Sequence, residues 1–347
     1  MKSMMRAIVK SEAAPGAVLR SVPIPRVARG SVLVEILATA ICGTDLHIYD
    51  WTEWAQARIH TPMVFGHEFC GRVVEIGEGV TGLNVGDLIA GETHIPCGEC
   101  YQCRTGLQHV CQNMKILGVH TAGVFSEYAV VPQACAWRLP PGTDPHVGTV
   151  YEPFGVAAHA TLVEDVAGKS VAVFGCGPIG LYAVGIARAS GAGMVVASEV
   201  GKYRRDLAVT IGATHVIDPT DRTADQRIME LTHGCGVDVA IELSGNPAAL
   251  RQALSSITRG GRLSIAGLPS RPVEINVVDD VIYKELRIYG ITGRVMYDTW
   301  YRVANLIESG VVDPRPVSTH VFQPDDFLSA MDTARSGSAG KVLLSWR

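Results

Sequence analysis

Two patterns of hydrophobic and polar positions divide the chain. Up to about residue 150, short runs of valine, leucine and isoleucine stand between glycines, as at residues 31–36 and 71–77. Runs of this length between turn residues predict β-strands in a barrel-like domain. Beyond about residue 168, strand-like runs alternate with helix-like segments. This alternation predicts an α/β domain with a doubly wound parallel sheet.

The second region predicts six strands. They are the runs at residues 171–174, 194–197, 215–217, 237–243, 262–266 and 286–291. Helices are predicted between them at 203–211 and 248–258, and another helix follows at 299–309. The tail ends in a strand-like run at 341–346. Because no seventh strand–helix repeat precedes that run, we expect the tail to return to the first domain.

Composition narrows the classes of function. A chain of 347 residues suits two domains that can each bury a core. With 18% charged residues and a net charge of -4, it gives no reason to expect nucleic acid or an anionic membrane as a partner. The first ten residues carry Lys2, Arg6 and Lys10 but no apolar run with a cleavage site. We therefore expect no signal peptide and a cytoplasmic location.

A glycine-rich turn follows the first strand of the second region. Gly175, Gly177 and Gly180 fit the spacing G-x-G-x-x-G, directly before a predicted helix. The glycines allow a tight turn and the close approach of a pyrophosphate, to which the helix N-terminus offers amide donors. A purely structural turn is the alternative in a chain with 37 glycines. The position between a strand and a helix favours dinucleotide binding.

An acidic residue ends the next predicted strand. Glu199 stands about 20 residues beyond the last glycine, where a carboxylate can bond to the ribose hydroxyls and repel a 2′-phosphate. We therefore predict NAD rather than NADP as cofactor. Arg204 and Arg205 keep the other choice open, because an arginine can line the adenosine pocket of either cofactor.

Four of the nine cysteines lie close together in the sequence. Cys97, Cys100, Cys103 and Cys111 fall within fifteen residues, in a loop that also contains glycine and proline. Four thiolates at that spacing can close a tetrahedral shell around zinc and leave no position open for substrate. The loop therefore predicts a structural zinc ion. Disulfide pairing, or four unrelated cysteines, is the alternative.

Two further motifs offer metal ligands of mixed type. Residues 42–47 read Cys-Gly-Thr-Asp-Leu-His, and residues 66–71 read Gly-His-Glu-Phe-Cys-Gly. Either motif alone is more often structural, and separation in sequence says nothing about proximity. The order of these motifs, the four-cysteine loop and the glycine-rich turn along one chain makes the combination specific.

With these motifs the chain resembles the zinc-containing medium-chain alcohol dehydrogenases over essentially its whole length. The resemblance implies a GroES-like β-barrel catalytic domain at residues 1–154, which includes the structural zinc loop at 97–111. It implies a Rossmann NAD-binding domain at 155–298, a segment at 299–347 that returns to the catalytic domain, and an active site in the cleft between the domains. It also implies two zinc ions per chain and a homo-oligomer, a tetramer, with no membrane or nucleic-acid partner.

The same resemblance assigns roles to residues. Cys42 and His67 match ligands of the catalytic zinc, and Glu68 matches a ligand or a carboxylate close to it. Glu152 is expected near the open position of the metal. A zinc ion so bound acidifies a substrate hydroxyl group.

Thr44 and His47 match the family's proton relay. The hydroxyl of the threonine takes the proton and the imidazole passes it towards solvent. A helix-capping threonine and a surface histidine are the alternative interpretation of these two residues.

The substrate prediction rests on a closer similarity, to the threonine-oxidising bacterial members of the family. The matching stretches are residues 40–51, Trp54, 91–95, 152–155, 293–294, 299–301 and 336–346. This similarity implies oxidation of the 3-hydroxyl of L-threonine to 2-amino-3-oxobutanoate, with His94 near the catalytic site. A polyol or 2,3-butanediol dehydrogenase of the same family is the alternative. A dinucleotide-binding protein without catalysis is a third hypothesis, and the Cys42, His67, Thr44 and His47 set argues against it.

In those members a common set of matching residues lines the cofactor pocket. The set comprises Ile179, Glu199, Arg204, Ala266, Gly267, Leu268, Ile291 and Thr292. The chain departs from the family at Glu199 and Glu152, where aspartate is common, and at Thr292, where a larger residue is often found. The two acids preserve the charge, so the predicted cofactor is unchanged, but the longer side chain leaves the role of Glu152 open.

Overall fold

The computed structural model describes residues 3–221, 223–269 and 271–347, and the chain divides into two compact units. The first unit comprises the chain up to Glu152, together with Ser318–Ser336 and Lys341–Arg347. The second unit comprises Pro153–Val317 and Gly337–Gly340. The segment that we assigned to the returning tail is thus shared, since residues 299–317 lie in the second unit.

The described residues form strands β1 to β18 in chain order. Their bounds are Met4–Lys10, Val18–Pro23, Ser31–Ala40, Met63–Val64, Glu68–Ile76, Leu88–Gly91, His94–Ile95, Lys115–Ile116, Tyr128–Pro132, Ala136–Arg138, Ser170–Phe174, Met194–Ser198, His215–Ile217, Val237–Glu242, Ile257–Ile265, Arg287–Gly290, Ser318–Phe322 and Lys341–Ser345. All the strands predicted from the hydrophobic pattern are present, with ends that shift by a few residues.

The same residues form α-helices α1 to α11. Their bounds are Gly43–Asp50, Glu53–Gln56, Tyr101–Arg104, Pro145–Thr149, Tyr151–Leu162, Pro178–Ala189, Lys202–Ile211, Ala224–Leu231, Pro247–Ser256, Asp298–Glu308 and Phe327–Arg335. None of the helices in the described ranges is long and apolar enough to cross a membrane.

The first unit is built around strand β3. Its sheet has the order β10-β6-β5-β3-β18-β17, and β9 also pairs with β3. Residues Val32, Val34 and Ile36 are fully buried, as a strand covered by neighbours on both sides requires. The last strand, β18, runs antiparallel to β3 with Leu343 opposite Ala40. The predicted return of the final strand therefore supplies a central part of this sheet.

The second unit contains a six-stranded parallel sheet in the order β13-β12-β11-β14-β15-β16. Strand order reverses between β11 and β14. The carboxyl ends of these two strands form the topological switch point, where doubly wound sheets bind ligands. The predicted doubly wound sheet is confirmed.

Helix α6 follows β11 because its sequence favours a helix start and a buried helix body. Gly177 precedes the helix and Pro178 occupies its first position, where the missing amide costs no hydrogen bond. The residues from Gly180 to Ala187 are all buried. A helix that is apolar on all faces belongs inside a unit, and this placement fixes the glycine-rich turn against the sheet.

Candidate functional site

The four-cysteine loop brings its sulfur atoms together. The Sγ atom of Cys100 lies 3.5 Å from that of Cys103 and 3.7 Å from that of Cys111. The ligand atoms of all four cysteines, including Cys97, lie within 4.8 Å of one another. Zinc–sulfur bonds of about 2.3 Å give a tetrahedron with edges of about 3.8 Å, whereas a disulfide needs about 2.05 Å between sulfurs. The spacing fits four ligands around one zinc ion and does not fit disulfides.

Backbone amides that donate hydrogen bonds to the sulfur atoms also make this loop suitable for binding a cation. The N–H groups of Cys97 and Asn113 both donate to Sγ of Cys111, at 3.3 Å. The backbone amide of Cys103 is the main cause that lowers the pKa of Cys100 to about 6. Burial instead raises the pKa of Cys103 to about 12. That thiol becomes a ligand when a metal displaces its proton.

A second cluster, which we call the Cys42 cluster, contains Cys42, His67 and Glu68. Cys42 lies between the end of β3 and the start of α1, and His67 and Glu68 lie where β5 begins. Strands β3 and β5 are antiparallel with Ala40 opposite Glu68, and this register brings the two motifs together. One ligand atom from each residue lies within 4.8 Å of the others. His67 and Glu68 are buried.

Asp45 contacts two members of the Cys42 cluster. The sequence motifs alone did not identify it as part of the site. Its Oδ2 accepts a hydrogen bond of 2.8 Å from the backbone N–H of Cys42, and its Oδ1 lies 3.6 Å from Nδ1 of His67. At that distance the carboxylate makes no hydrogen bond to the ring, and it acts on His67 through its negative charge. The only sequence signal was its position three residues after Cys42, which suits an acid in the first turn of a helix.

The electrostatics of the cluster favour a bound cation. Burial opposes a charged imidazole at His67, but Asp45 and Cys42 outweigh it and raise the pKa of His67 to about 10. A zinc ion can take the place of that proton, because cysteine, histidine and carboxylate are its usual ligands. The residues present therefore fit zinc.

Lys341 holds Glu68 from the final strand, and the sequence analysis missed this contact too. The Nζ atom of Lys341 donates to Oε1 of Glu68 at 2.6 Å and lies 2.5 Å from its Oε2. Both side chains are buried, so each depends on the other for its charge. The sequence signal was a single lysine at the start of an otherwise apolar strand. Lys341 thus contacts both oxygens of Glu68, and this carboxylate lies beside Cys42 and His67.

Glu152 lies beside the same cluster and contacts the strand that carries His94. Its charge contributes to raising the pKa of His67 and of Glu68, which shows its proximity to both. The hydroxyl of Thr93 donates to Oε1 of Glu152 at 3.0 Å. The next residue in the chain is His94, whose assigned role near the catalytic site stays a prediction.

Thr44 and His47 lie on helix α1, immediately after Cys42. Their spacing of three residues places them on the same face of the helix. Thr44 is half-buried and His47 is exposed, so the two span the distance from the interior to solvent. The Nδ1 atom of His47 lies 3.3 Å from the hydroxyl of Thr52.

The second unit has a cavity of about 770 Å³ at the switch point of its sheet. Four of the predicted cofactor residues line it, namely Gly175, Gly177, Glu199 and Arg204. Ser198 and Gln252 also line it and bond to each other, with Ser198 Oγ donating to Oε1 of Gln252 at 3.0 Å. We call this cavity the dinucleotide pocket.

The other predicted cofactor residues lie around the same end of the sheet but are not among those that line the cavity. They are Ile179 and Gly180 in α6, Ala266, Gly267 and Leu268 after β15, and Ile291 and Thr292 after β16. The amides of Ala266 and Gly267 both donate to the backbone oxygen of Glu242 at 3.0 Å. Leu268 is 86% exposed, which leaves it open to a ligand.

Glu199 has contacts that the sequence did not predict. Its Oε2 accepts a bond of 2.8 Å from the amide of Cys176 in the glycine-rich turn, and its Oε1 accepts one of 2.8 Å from the amide of Gly201. The carboxylate thus connects the turn after β11 to the turn after β12. Glu199 stabilises the walls of the dinucleotide pocket in addition to supplying its negative charge.

Comparison with known proteins gives a consistent picture over the whole chain. Residues 28–141 match the model described as alcohol dehydrogenase GroES-like domain, and residues 178–309 match the one described as zinc-binding dehydrogenase. The chain is 47% identical over 344 residues to the L-threonine 3-dehydrogenase of Pyrococcus abyssi. It is 48% identical over 345 residues to the enzyme of that name from Bacillus velezensis. Each alignment covers 99% of both chains.

Solved structures are similar over the same length. A zinc-binding dehydrogenase from Sinorhizobium meliloti 1021 bound to NADP has 31% identity and a TM-score of 0.89, covering 99% of this chain and 100% of that one. The 2R,3R-butanediol dehydrogenase from Bacillus subtilis has 30% identity and a TM-score of 0.88, with the same coverage. The predicted fold class, a GroES-like domain with a Rossmann-type parallel sheet, is confirmed.

Two glycines of the same turn should respond differently to alanine. A Cβ atom at Gly180 would lie 1.9 Å from the backbone oxygen of Gly175, whereas a Cβ at Gly177 would meet nothing within 4 Å. We expect Gly180→Ala to destabilise the protein by about 1–3 kcal/mol, because backbone must move. Gly177→Ala should change stability by less than about 0.5 kcal/mol but weaken dinucleotide binding, because its methyl group occupies the space the pyrophosphate approaches.

Thermal unfolding and titration with NADH measure the two effects on the same preparations. The expected pattern is a lower Tm for Gly180→Ala, and a raised Kd at unchanged Tm for Gly177→Ala. Equal losses of stability in both variants would contradict this account of the turn.

Proposed function

We propose, from the premise that the chain belongs to the zinc-containing alcohol dehydrogenase family, that it oxidises the 3-hydroxyl group of L-threonine with NAD⁺ as the hydride acceptor. The products are 2-amino-3-oxobutanoate, NADH and a proton. The observation that carries the proposal is the similarity, along the full length of both chains, to enzymes named L-threonine 3-dehydrogenase. The Cys42 cluster and the dinucleotide pocket supply the two sites that such a reaction needs.

Cys42 and His67 hold the catalytic zinc in this proposal, and Asp45 acts on the histidine through its negative charge. When bound, zinc supplies a positive charge that acidifies the substrate hydroxyl. Glu68, paired with Lys341, adds negative charge beside that position while its oxygens stay engaged. Glu152 holds the hydroxyl of Thr93 and places the edge of β7 beside the reacting group.

The proton leaves along helix α1. Thr44, half-buried, accepts the proton of the substrate hydroxyl and hands on its own. His47, on the same face and exposed, passes a proton to solvent. The contact between His47 and Thr52 keeps the ring in place during this exchange.

The dinucleotide pocket binds NAD in this proposal. Gly175 and Gly177 admit the pyrophosphate, and Glu199 bonds to the ribose and repels a 2′-phosphate. The residues after β15 and β16, from Ala266 to Leu268 and at Ile291 and Thr292, lie at the carboxyl edge of the sheet, where the nicotinamide half is placed. Ile179 and Arg204 complete the predicted set.

The chain is proposed to form a homo-oligomer, a tetramer, in the cytoplasm. The second unit exposes apolar side chains next to its edge strand β16, among them Val277, Ile282, Tyr283 and Ile288. Exposed apolar groups beside an edge strand favour association with another chain. The cysteines that fit a metal rather than disulfides agree with a reducing compartment.

Two zinc ions per chain are expected. Elemental analysis of freshly purified protein should give close to two equivalents, and a chelator should remove the catalytic ion first, because the four thiolates form a closed shell. After partial treatment with the chelator, about one equivalent of zinc should remain and the activity should be lost. A single equivalent in fresh, fully active protein would contradict the proposal of two sites.

The cofactor preference depends on Glu199. The wild-type protein should have a higher kcat/KM with NAD⁺ than with NADP⁺. Glu199→Gln should narrow that ratio because the repulsive charge is gone, while its one amide oxygen keeps only one of the two bonds to backbone amides. Glu199→Ala should weaken both cofactors, because the bonds to Cys176 and Gly201 are lost as well. Glu308→Gln, at an exposed position of the same unit, is the control. A wild-type preference for NADP⁺ would refute the proposed role of this carboxylate.

The substrate is tested by NADH formation with L-threonine, D-threonine, sorbitol and 2,3-butanediol at equal enzyme concentration. L-Threonine should have the highest kcat/KM by about a hundredfold or more, because buried groups matched to its ammonium and carboxylate are left unpaired by a diol. The similarity to a butanediol dehydrogenase makes the diol the decisive comparison. A higher kcat/KM with the diol would replace L-threonine by the polyol-type alternative.

A further inference from the structure

Glu92 is a buried acid that the proposed reaction does not use. It directly follows β6, as the first of the two residues between β6 and β7, and is 1% exposed. Its Oε1 accepts a hydrogen bond of 2.9 Å from the backbone N–H of His94 and lies 2.8 Å from Nδ1 of the same residue. A carboxylate buried at this depth needs such bonds to offset the loss of its hydration. Both of them are directed at one histidine.

The position of Glu92 is itself well fixed. Its backbone N–H donates to the oxygen of Cys135 at 2.8 Å. His94 is held from the other side, because it pairs with Ile116 across strands β7 and β8. The carboxylate and the ring therefore meet between two anchored backbone segments, and the orientation of the ring is determined by the first unit alone.

The bond to Glu92 selects the tautomer of His94. A carboxylate is an acceptor, so Nδ1 carries a proton and donates it to Oε1. In the neutral ring the other nitrogen, Nε2, is then an acceptor. The hydroxyl of the adjacent residue, Thr93, donates a hydrogen bond of 3.0 Å to a second carboxylate, that of Glu152. His94 thus directly follows a residue bonded to Glu152, the carboxylate that lies near His67 and Glu68, and this combination of acceptors suits a cationic donor.

We propose that Glu92 is a positioning residue that fixes His94 with its proton on Nδ1, so that Nε2 accepts a hydrogen bond from the ammonium group of the substrate. This inference rests on the proposed function, since L-threonine carries an ammonium group on the carbon next to the one oxidised. Glu92 acts through the histidine and does not touch the substrate. It sets the orientation of the amino group, while the metal position and the relay act on the hydroxyl.

Variants of Glu92 separate the position of the acceptor from its charge. Glu92→Gln keeps an amide oxygen where Oε1 lies and preserves both bonds to His94, so its KM for L-threonine should stay within about threefold of wild type. Glu92→Ala removes the acceptor and should raise that KM by about tenfold or more, with a smaller change in kcat, as expected for the loss of a bond to a charged group. Glu127→Ala removes an acid of the first unit that also accepts a backbone amide, and should leave KM unchanged.

A double-variant cycle with His94→Ala tests whether Glu92 acts through the histidine. If it does, Glu92→Ala should add less than about twofold to the KM of His94→Ala, because neighbouring residues of one network are not additive. Zinc content and the Kd for NADH should stay at wild-type values in all variants. If Glu92→Ala fails to fold, Glu92→Asp replaces it, since the shorter side chain withdraws the acceptor and keeps the charge.

Failure of the positioning role of Glu92 can be distinguished from failure of the proposed function. A wild-type enzyme without L-threonine turnover refutes that function. With turnover present, the positioning role is overturned by an unchanged KM in Glu92→Ala, by full additivity with His94→Ala, or by a loss in Glu92→Gln as large as in Glu92→Ala.

Discussion

A concentration of buried ionisable groups around the start of β5 is the constraint on which the first unit depends. Asp45, Glu68 and Glu152 converge there with the thiol of Cys42, and Lys341 pairs with Glu68. Charges buried in this number are tolerated only when they are paired or bind a metal. The raised pKa of His67 reflects the same effect at one residue, because the surroundings favour a positive charge. In the proposed function a zinc ion would provide that charge and leave the histidine neutral, as a ligand must be.

This constraint accounts for the course of the chain. The lysine that pairs with Glu68 is 273 positions away in sequence, and it arrives because β18 inserts beside β3. The pairing of Leu343 with Ala40 and the bond from Trp346 Nε1 to the hydroxyl of Thr39, at 3.0 Å, fix the strand in register. A tail that returned in another register would leave Glu68 buried without its partner. Sheet formation and charge neutralisation therefore require the same arrangement of the last residues.

The sequence predicted the features that depend on interactions between residues close together in the chain. The glycine-rich turn, the strands on either side of it and the four-cysteine loop each depend on a few consecutive residues, and the structure confirms the predicted strands and sheet. It also brings together Cys42, His67 and Glu68, whose assigned roles stay predictions. Asp45, Lys341 and Glu92 were missed because their importance arises only when distant strands meet or a side chain turns back onto the backbone. The bonds of Glu199 were missed for that reason as well, since spacing shows where a carboxylate stands and not which amides its side chain reaches.

The two metal positions differ in how they depend on the fold. The four-cysteine loop draws its ligands from one stretch of fifteen residues, so its shell can close around a metal with little help from the rest of the unit. The Cys42 cluster draws on the end of β3, the start of β5 and, through Lys341, the final strand. Displacement of any of these strands separates the ligands or breaks the pair between Glu68 and Lys341, whereas the sulfur atoms of the four-cysteine loop stay together. Destabilising the first unit should therefore weaken metal binding at the proposed catalytic site before binding at the four-cysteine loop, and this makes the Cys42 cluster the more sensitive reporter of the unit's integrity.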